Sequence, residues 1–512
     1  MSQLNGENNK NNKNQDFQHV EKNDICTYLG EKGYTIYKEA LTIEEQQYIR
    51  KELSVRPYIP KSPIQPPSFP IYRESGNKFY IPRYFGYDNY GKPDESRISE
   101  GDDINIPFAG QLRDYQQEIV EIYMKRIKNE EFGGGGLLEL HTGGGKTVLA
   151  LNIISEVKKK TLIIVHKSFL LNQWVERIQQ YLPTAKIGRI QGQIIDIENK
   201  DIVIGMLQSL SMKEYPYDIF KSFGLTIVDE VHHISSEVFS RSLLKVITKY
   251  TLGLSATMQR KDGLSKVFKM YLGDILFKSS VKRDDKVVVK AIEYNIYDDE
   301  YSEVETDYRG NIKYSTMIGK LCSFNRRTEY IINIIKQEFE LNKDQQMIVL
   351  AHNKNILTYL YDAIGSRNIA TVGYYLGGMK DEHLKESETK QVIIATYAMA
   401  SEGLDIPSLT TLVFASPKTD ITQSVGRILR TKHANPLIID IVDQHDIFRM
   451  QWEKRKSYYI KHKYKILYTK QYNTTSNWMV KYDPENQTNQ TQSKKTKGGK
   501  CLVQLKIDDM LS

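Results

Sequence analysis

From Gln111 onward, short runs of Val, Ile and Leu alternate with amphipathic helical stretches, a pattern that predicts a parallel sheet with helices on both faces. The expected strands are Leu137 to Leu140, Thr161 to Val165, Lys186 to Ile190, Asp201 to Ile204, Leu225 to Val228 and Thr251 to Leu254. Beyond a stretch around Phe277 to Asn325 that reads as a linker, Met347 to Leu350, Val392 to Ala395, Thr411 to Phe414 and Leu437 to Ile441 repeat the alternation. Two α/β lobes in tandem are therefore expected, at 111–280 and 326–475, with 281–325 joining them. Upstream, in 24–110, GYTIYKEALTIEEQQYIRKEL predicts a strand and then a helix, and a proline- and tyrosine-rich stretch follows. A small α+β domain should precede the lobes. Residues 1–23 are Asn, Gln, Lys and Glu with almost no apolar content, and 476–512 are polar, so both read as tails that cannot bury enough surface to offset ordering entropy.

At 512 residues and 40% hydrophobic content, the chain can fill the cores of about three domains and is not a disordered protein. No apolar run approaches the ~18 residues needed to span a bilayer, and the N-terminus has neither a signal core nor an arginine-rich amphipathic pattern. A soluble, intracellular chain without a membrane partner is expected. Cys26, Cys322 and Cys501 are far apart, which provides neither metal-ligand spacing nor a disulfide framework. Seventy-one Lys and Arg against sixty-three Asp and Glu leave +8, which permits a polyanionic partner. Much of that excess falls in Arg449 to Tyr472, where eight Lys or Arg accompany one acid, one tryptophan and five tyrosines. There Trp452, Tyr459 and Ile460 are expected to pack a terminal helix, while Lys454, Arg455, Lys461 and Lys463 are the candidates to meet nucleic-acid phosphates. In the N-terminal domain most aromatics are expected in the core; Lys78, Arg83 and several tyrosines form an alternative nucleic-acid face.

The candidate chemistry centres on Leu137 to Ala150, LLELHTGGGKTVLA, an apolar strand, a glycine turn and the start of a helix. The N–H groups of Gly143, Gly144 and Gly145 are expected to converge on one point, with the positive end of the next helix behind them, which suits a polyphosphate. Lys146 can reach the β- and γ-phosphates, and the Thr147 hydroxyl can join the shell of a Mg²⁺ ion. The strict form of this loop has a glycine where this chain has Leu140. Downstream, Leu225 to Val228 ends in Asp229-Glu230-Val231-His232. Ligands in open α/β sheets sit beyond the carboxyl ends of the strands, so Asp229 is placed to hold Mg²⁺ beside Thr147. Glu230 is then placed to orient and partly deprotonate the water that attacks the γ-phosphate. His232 has no cysteine partners nearby and reads as a relay of nucleotide state rather than a zinc ligand.

As a set these residues resemble the motifs of superfamily 2 helicases, over roughly residues 111 to 472. Arg113-Asp-Tyr-Gln116 resembles the segment that reads adenine, Thr142 to Thr147 the phosphate loop, and Asp229 to His232 the DExH box. Ser255-Ala256-Thr257 resembles the motif that couples hydrolysis to movement. In the second lobe, Thr396 through Gly403 and Asp405 resembles motif V, which implies roles for Thr396 toward nucleic acid, Gly403 in coupling and Asp405 toward the nucleotide. Gln423 to Arg430 resembles motif VI, so the resemblance implies that Gln423, Arg427 and Arg430 serve catalysis, the arginines reaching the phosphates from the second lobe. Arg260-Lys-Asp262 is similar to the Arg-Glu-Asp element of XPB-type helicases, with Arg260 toward nucleic acid, and Phe324-Asn-Arg-Arg327 fits the same branch. The likeness is to the XPB/UvsW-like branch of large DNA viruses, including the poxvirus transcript-release helicase. It implies two RecA-like lobes, ATP and Mg²⁺, a monomer acting on DNA in preference to RNA, contacts with transcription machinery, and host cytoplasm or virion as location. The alternatives are a remodeller that releases transcript or protein from DNA without net unwinding, an RNA helicase, and a scaffold without turnover. The intact Lys146, Asp229, Glu230, Gln423, Arg427 and Arg430 argue against the last.

Overall fold

The computed structural model describes residues 26–485 apart from positions 60, 61, 63, 142, 217, 234, 235, 261, 280–285, 403, 405, 430–432, 434, 435 and 473–476. The described chain divides into two units. One takes the residues through Glu139 and from Thr147 to Phe277; the other takes Leu140–Lys146 and the residues from Lys278 onward.

The first unit opens with a small sheet of β1 (Thr27–Gly30), β2 (Gly33–Tyr37), β3 (Arg73–Glu74), β4 (Lys78–Ile81) and β5 (Glu95–Ser96), in the order β3-β4-β2-β1-β5. The β1–β2 turn requires a glycine at Gly33, whose φ is 97° and whose Cβ would lie 2.7 Å from the Ile81 carbonyl oxygen. Helix α1 (Ile43–Glu52) starts with a reciprocal capping box in which Thr42 Oγ1 accepts the Glu45 N–H and Glu45 accepts the Thr42 N–H. Tyr34, Ile36, Phe79 and Ile81 join Ile49 and Phe85, the latter on α2 (Arg83–Tyr90), in one core. That core continues into Val267, Phe268 and Leu272 of the following lobe, so the accessory domain shares its interior with that lobe. Arg83 is part of this join and not of a nucleic-acid face. It is 5% exposed and donates to the carbonyls of Lys249, Phe132 and Gly133.

The first lobe contains β6 (Gly135–Glu139), β7 (Thr161–Val165), β8 (Ile187–Gln191), β9 (Ile194–Asp196), β10 (Ile202–Met206), β11 (Leu225–Val228), β12 (Tyr250–Ser255) and β13 (Ile275–Lys278). Their order is β9-β8-β10-β7-β11-β12-β6-β13. Helices α3 (Asp114–Asn129), α4 (Lys146–Val157) and α5 (Ser168–Tyr181) belong to this alternation.

The second lobe contains β14 (Val288–Tyr294), β15 (Met347–Ala351), β16 (Val372–Tyr375), β17 (Val392–Thr396), β18 (Thr411–Phe414), β19 (Leu437–Asp443), β20 (Lys465–Thr469) and β21 (Met479–Tyr482), ordered β16-β17-β15-β18-β19-β14-β20-β21. The stretch read as a linker therefore contributes a strand inside this sheet. Its sequence, VVKAIEY, hides the fact because its charges are satisfied internally: Lys290 pairs with Glu338 at 2.6 Å and Glu293 with Arg449 at 3.1 Å. Likewise β21 lies in the region read as a polar tail.

Strand β19 is clamped on both faces. Asp440 and Asp443, three residues apart, point to opposite sides of the sheet. Arg327 on α6 (Asn325–Leu341) meets Asp443 with two bonds of 2.5 and 2.9 Å and also donates to the Ala415 carbonyl. Arg455 on α7 (Asp446–Lys461) meets Asp440 at 2.8 Å and donates to the Lys418 carbonyl. Burial lowers the proton affinity of both guanidiniums, but the facing carboxylate outweighs it and holds each above its ordinary value. Replacing Arg327 with alanine leaves Asp443 buried without its cation, and the expected cost is roughly 3–5 kcal/mol. In calorimetry Arg327→Ala should lower the unfolding transition well beyond Arg326→Ala, whose partner pair with Asp298 leaves the arginine 70% exposed. Equal melting of the two variants would refute the clamp.

Candidate nucleotide site and coupling residues

Parallel pairing of β11 with β12 and of β12 with β6 brings Val228, Ser255 and Glu139 to one edge of the sheet. The glycine loop leaves β6 there, Asp229 and Glu230 leave β11, and Ala256 and Thr257 leave β12. In the loop, Gly143 and Gly145 have φ of 79° and 73°, the left-handed conformations that turn successive N–H groups into an anion-binding concavity. Gly144 departs from expectation: its N–H closes a turn on the His141 carbonyl at 3.0 Å, so it is engaged within the loop. Leu140, where the strict loop has glycine, is fully buried and serves the core. Lys146 and Thr147 open α4. Thr142 lies outside the described residues. Gln116 is buried, and its carboxamide oxygen accepts the Arg113 N–H at 3.0 Å, capping α3.

Asp229 is 7% exposed. Trp174 Nε1, on α5, donates to Oδ2 at 2.9 Å, and the Glu230 N–H donates to Oδ1 at 2.9 Å, which fixes the carboxylate's orientation. Sequence reasoning missed Trp174 because it lies 55 residues away with no local spacing to mark it. Glu230 sits at φ 48°, a left-handed conformation costly for a residue with a side chain, of the kind that clusters at functional sites.

His232, Ser255 and Thr257 form one hydrogen-bonded run. The Ser255 hydroxyl donates to the Thr257 carbonyl at 2.6 Å, so its oxygen receives the proton of His232 Nδ1, 2.5 Å away. Glu230 Oε2 lies 3.4 Å from the same ring nitrogen. One step on, the Met258 N–H donates to Glu139 Oε2 at 3.2 Å, returning the run to the strand that feeds the glycine loop. Ala256 is partly exposed between these residues. Arg260, expected to face nucleic acid, is turned inward instead: it bonds Asp262 twice and the His232 carbonyl at 3.1 Å, leaving its side chain 11% exposed. Burial raises the Asp262 carboxyl, but Arg260 and the Leu264 N–H hold it below the ordinary carboxylate range.

In the second lobe, Thr396 ends β17 and its hydroxyl oxygen accepts the Met399 N–H at 3.4 Å. Arg427 is 6% exposed and donates to the carbonyls of Ala400 and Leu404, so in this structure it braces the segment after β17. Gln423 is half-buried on the short helix Thr422–Val425. Gly403, Asp405 and Arg430 lie outside the described residues. On α7, Phe448, Trp452, Arg455 and Tyr459 form the buried stripe. Arg455 is therefore an interior ion pair and not a phosphate contact, and Ile460, expected to pack, is 39% exposed. Lys454, Lys461 and Lys463 are exposed.

Residues 109–260 match the family described as type III restriction enzyme, res subunit, and residues 327–435 match the helicase conserved C-terminal domain. An Acanthamoeba polyphaga mimivirus protein, assigned by name as an ATP-dependent RNA helicase, is 37% identical over 461 residues, covering 87% of this chain and 87% of its own length. A Sulfurisphaera tokodaii protein named DNA 3'-5' translocase XPB2 is 27% identical over 371 residues, covering 65% of this chain and 81% of its own. The crystal structure of T4 UvsW aligns over 83% of this chain and 95% of that one at 16% identity, with a TM-score of 0.31. With two parallel-sheet lobes, phosphate-loop and DExH residues leaving neighbouring strands at one edge, and a relative this similar along most of both chains, the protein belongs to the superfamily 2 helicases, ATP-hydrolysing enzymes with relatives in large DNA viruses.

Proposed function

We propose that this helicase uses ATP hydrolysis to move along DNA, and that the run Glu230–His232–Ser255–Thr257 carries the state of the nucleotide into the first lobe. The observation that carries the reading is this run itself: the candidate proton acceptor, the relay histidine and the coupling serine share one ring nitrogen. Lys146 and the N–H groups of Gly143 and Gly145 hold the phosphates, since phosphoryl transfer needs positioning and charge neutralisation more than covalent help. Thr147 and Asp229 are the residues that would hold Mg²⁺, which supplies neutralising charge to the β- and γ-phosphates. The fit rests on orientation: the two Asp229 oxygens accept the Trp174 Nε1–H and the Glu230 N–H, which aim the carboxylate at the strand ends. Glu230 orients the attacking water and takes its proton. Support for DNA comes from the relative named as a DNA translocase. The mimivirus relative's name points to RNA.

Lys146→Ala should abolish hydrolysis with a normal melting curve, whereas Glu230→Gln should retain ATP binding and turn over at least about a hundredfold more slowly. Loss of ATP binding in Glu230→Gln, measured by filter retention of labelled nucleotide, would make that residue structural. The track is decided by ATPase rates with duplex DNA, single-stranded DNA and RNA as separate stimulants, followed by strand displacement on tailed duplexes; stimulation by RNA alone would overturn the assignment to DNA. Stimulation by DNA without displacement would indicate the remodeller. For the basic stretch, changing Lys454, Lys461 and Lys463 to glutamine should flatten the log–log salt dependence of binding by roughly one unit per lost phosphate contact. Parallel lines for wild type and variant would leave these lysines as solvated surface charges.

A further inference from the structure

Strand alternation sends Tyr34, Ile36, Phe79 and Ile81 into the core and turns Tyr28, Tyr37, Lys78 and Tyr80 to the opposite face of the N-terminal sheet. Register places Arg73, Tyr80, Thr35, Tyr28 and Glu95 side by side across all five strands, with Lys78 and Tyr37 paired in the next row. Tyr80 and Tyr28 are two strands apart, which at ~4.8 Å per strand separates their backbones by about 10 Å. The three tyrosines are part-exposed, and cations stand among them. Lys78 Nζ lies 4.3 Å from the Tyr37 ring centre and 5.2 Å from that of Tyr28, the Arg97 guanidinium lies 4.0 Å over Tyr28, and Lys32 Nζ lies 5.0 Å from Tyr80. The single acid in the row, Glu95, is bonded to Arg97. Lys78 donates to the Tyr28 hydroxyl, and neither it nor Lys32 has a carboxylate partner among the described residues. A surface of part-exposed rings with an excess of positive charge is complementary to bases carried on phosphates.

We propose that this sheet face is a stacking platform for a single-stranded nucleic-acid segment. Bases lie on Tyr28, Tyr37 and Tyr80 and on the guanidinium plane of Arg97, while Lys32, Lys78 and Arg73 meet the phosphates. A duplex is the wrong shape because its base faces are already covered by stacking, whereas an unpaired strand exposes them. Such contacts tolerate any sequence, since every base has a π-face. The assignment rests on the reading that this chain works on nucleic acid, and it adds a grip for the unpaired strand outside the motor motifs.

The test uses the full-length protein with short fluorescent oligothymidylate, oligouridylate and an abasic deoxyribose-phosphate strand of equal length, read by anisotropy. The triple variant Tyr28→Ala, Tyr37→Ala, Tyr80→Ala should bind the two base-bearing strands at least about tenfold more weakly, by the stacking lost per ring, and the abasic strand as wild type does. The matching phenylalanine triple should restore binding, because it keeps the rings. The base-bearing strand that loses more affinity identifies DNA or RNA as the preferred occupant. An alanine variant equal to wild type on all strands, an equal loss on the abasic strand, or failure of the phenylalanine rescue overturns the platform while leaving the helicase reading intact. Wild type that binds none of the strands overturns both. Should the alanine triple not fold, Lys32→Gln with Lys78→Gln must lower the salt dependence for the base-bearing strands by roughly one unit, and an unchanged slope overturns the proposal.

Discussion

Parallel strand pairing is the constraint on which the candidate site depends. Because β6, β12 and β11 run side by side in one direction, the chain segments that follow them must emerge at one edge, whatever their separation in sequence. The glycine loop, the DExH box and Ser255-Ala-Thr257 are about 30 to 110 residues apart along the chain but leave neighbouring strands. The hydrogen bonds then add what pairing alone cannot. Trp174 donates to Asp229, His232 bonds Ser255, and the Met258 N–H returns to Glu139, so the three strand ends are joined by side chains as well as by pairing.

The second lobe relies on a different device. A parallel sheet buried on both faces has few ways to fix its covering helices apart from apolar packing, which is tolerant of sliding. Arg327 and Arg455 supply direction, each binding one aspartate of β19 from its own side. A buried ion pair of this kind contributes little net stability compared with an apolar pair of equal volume, but its geometry admits one register. It also keeps Arg327 and its tyrosine neighbour Tyr301, which donates to the same Asp443 at 2.7 Å, from serving any surface partner.

Arginine is the residue whose fate is hardest to read from a linear chain. Residue type and neighbourhood put Arg83 and Arg455 at nucleic acid, and the family resemblance puts Arg260 and Arg427 at ligands, yet each is engaged inside the protein, on carbonyls, on Asp262 or on Asp440. The guanidinium's five fixed donors satisfy buried carbonyls as readily as phosphates, so type alone does not discriminate between them. Lysines at neighbouring positions, Lys78 and Lys454 among them, stayed toward the surface because an ammonium is more strongly hydrated and harder to bury.

What the chain by itself determined is whatever contiguous residues encode. Runs of Val and Ile announce strands, three glycines before Lys146 announce a turn at a helix start, and Asp229-Glu230 at the end of an apolar run announces a strand-end acid pair; the ten strands expected in the two lobes are all present, within a few residues of their expected bounds. Strand β14 escaped because its Lys290 and Glu293 interrupt the apolar pattern, and their partners lie 48 and 156 residues away. Only the tertiary structure decided which charges are interior, that Trp174 orients Asp229, and that Tyr28, Tyr37 and Tyr80 share one outer face while Tyr34 and Phe79 share the core. The physical reason is common to all three: burial and pairing are set by neighbours brought together through sheet register and helix packing, and no local spacing carries that information.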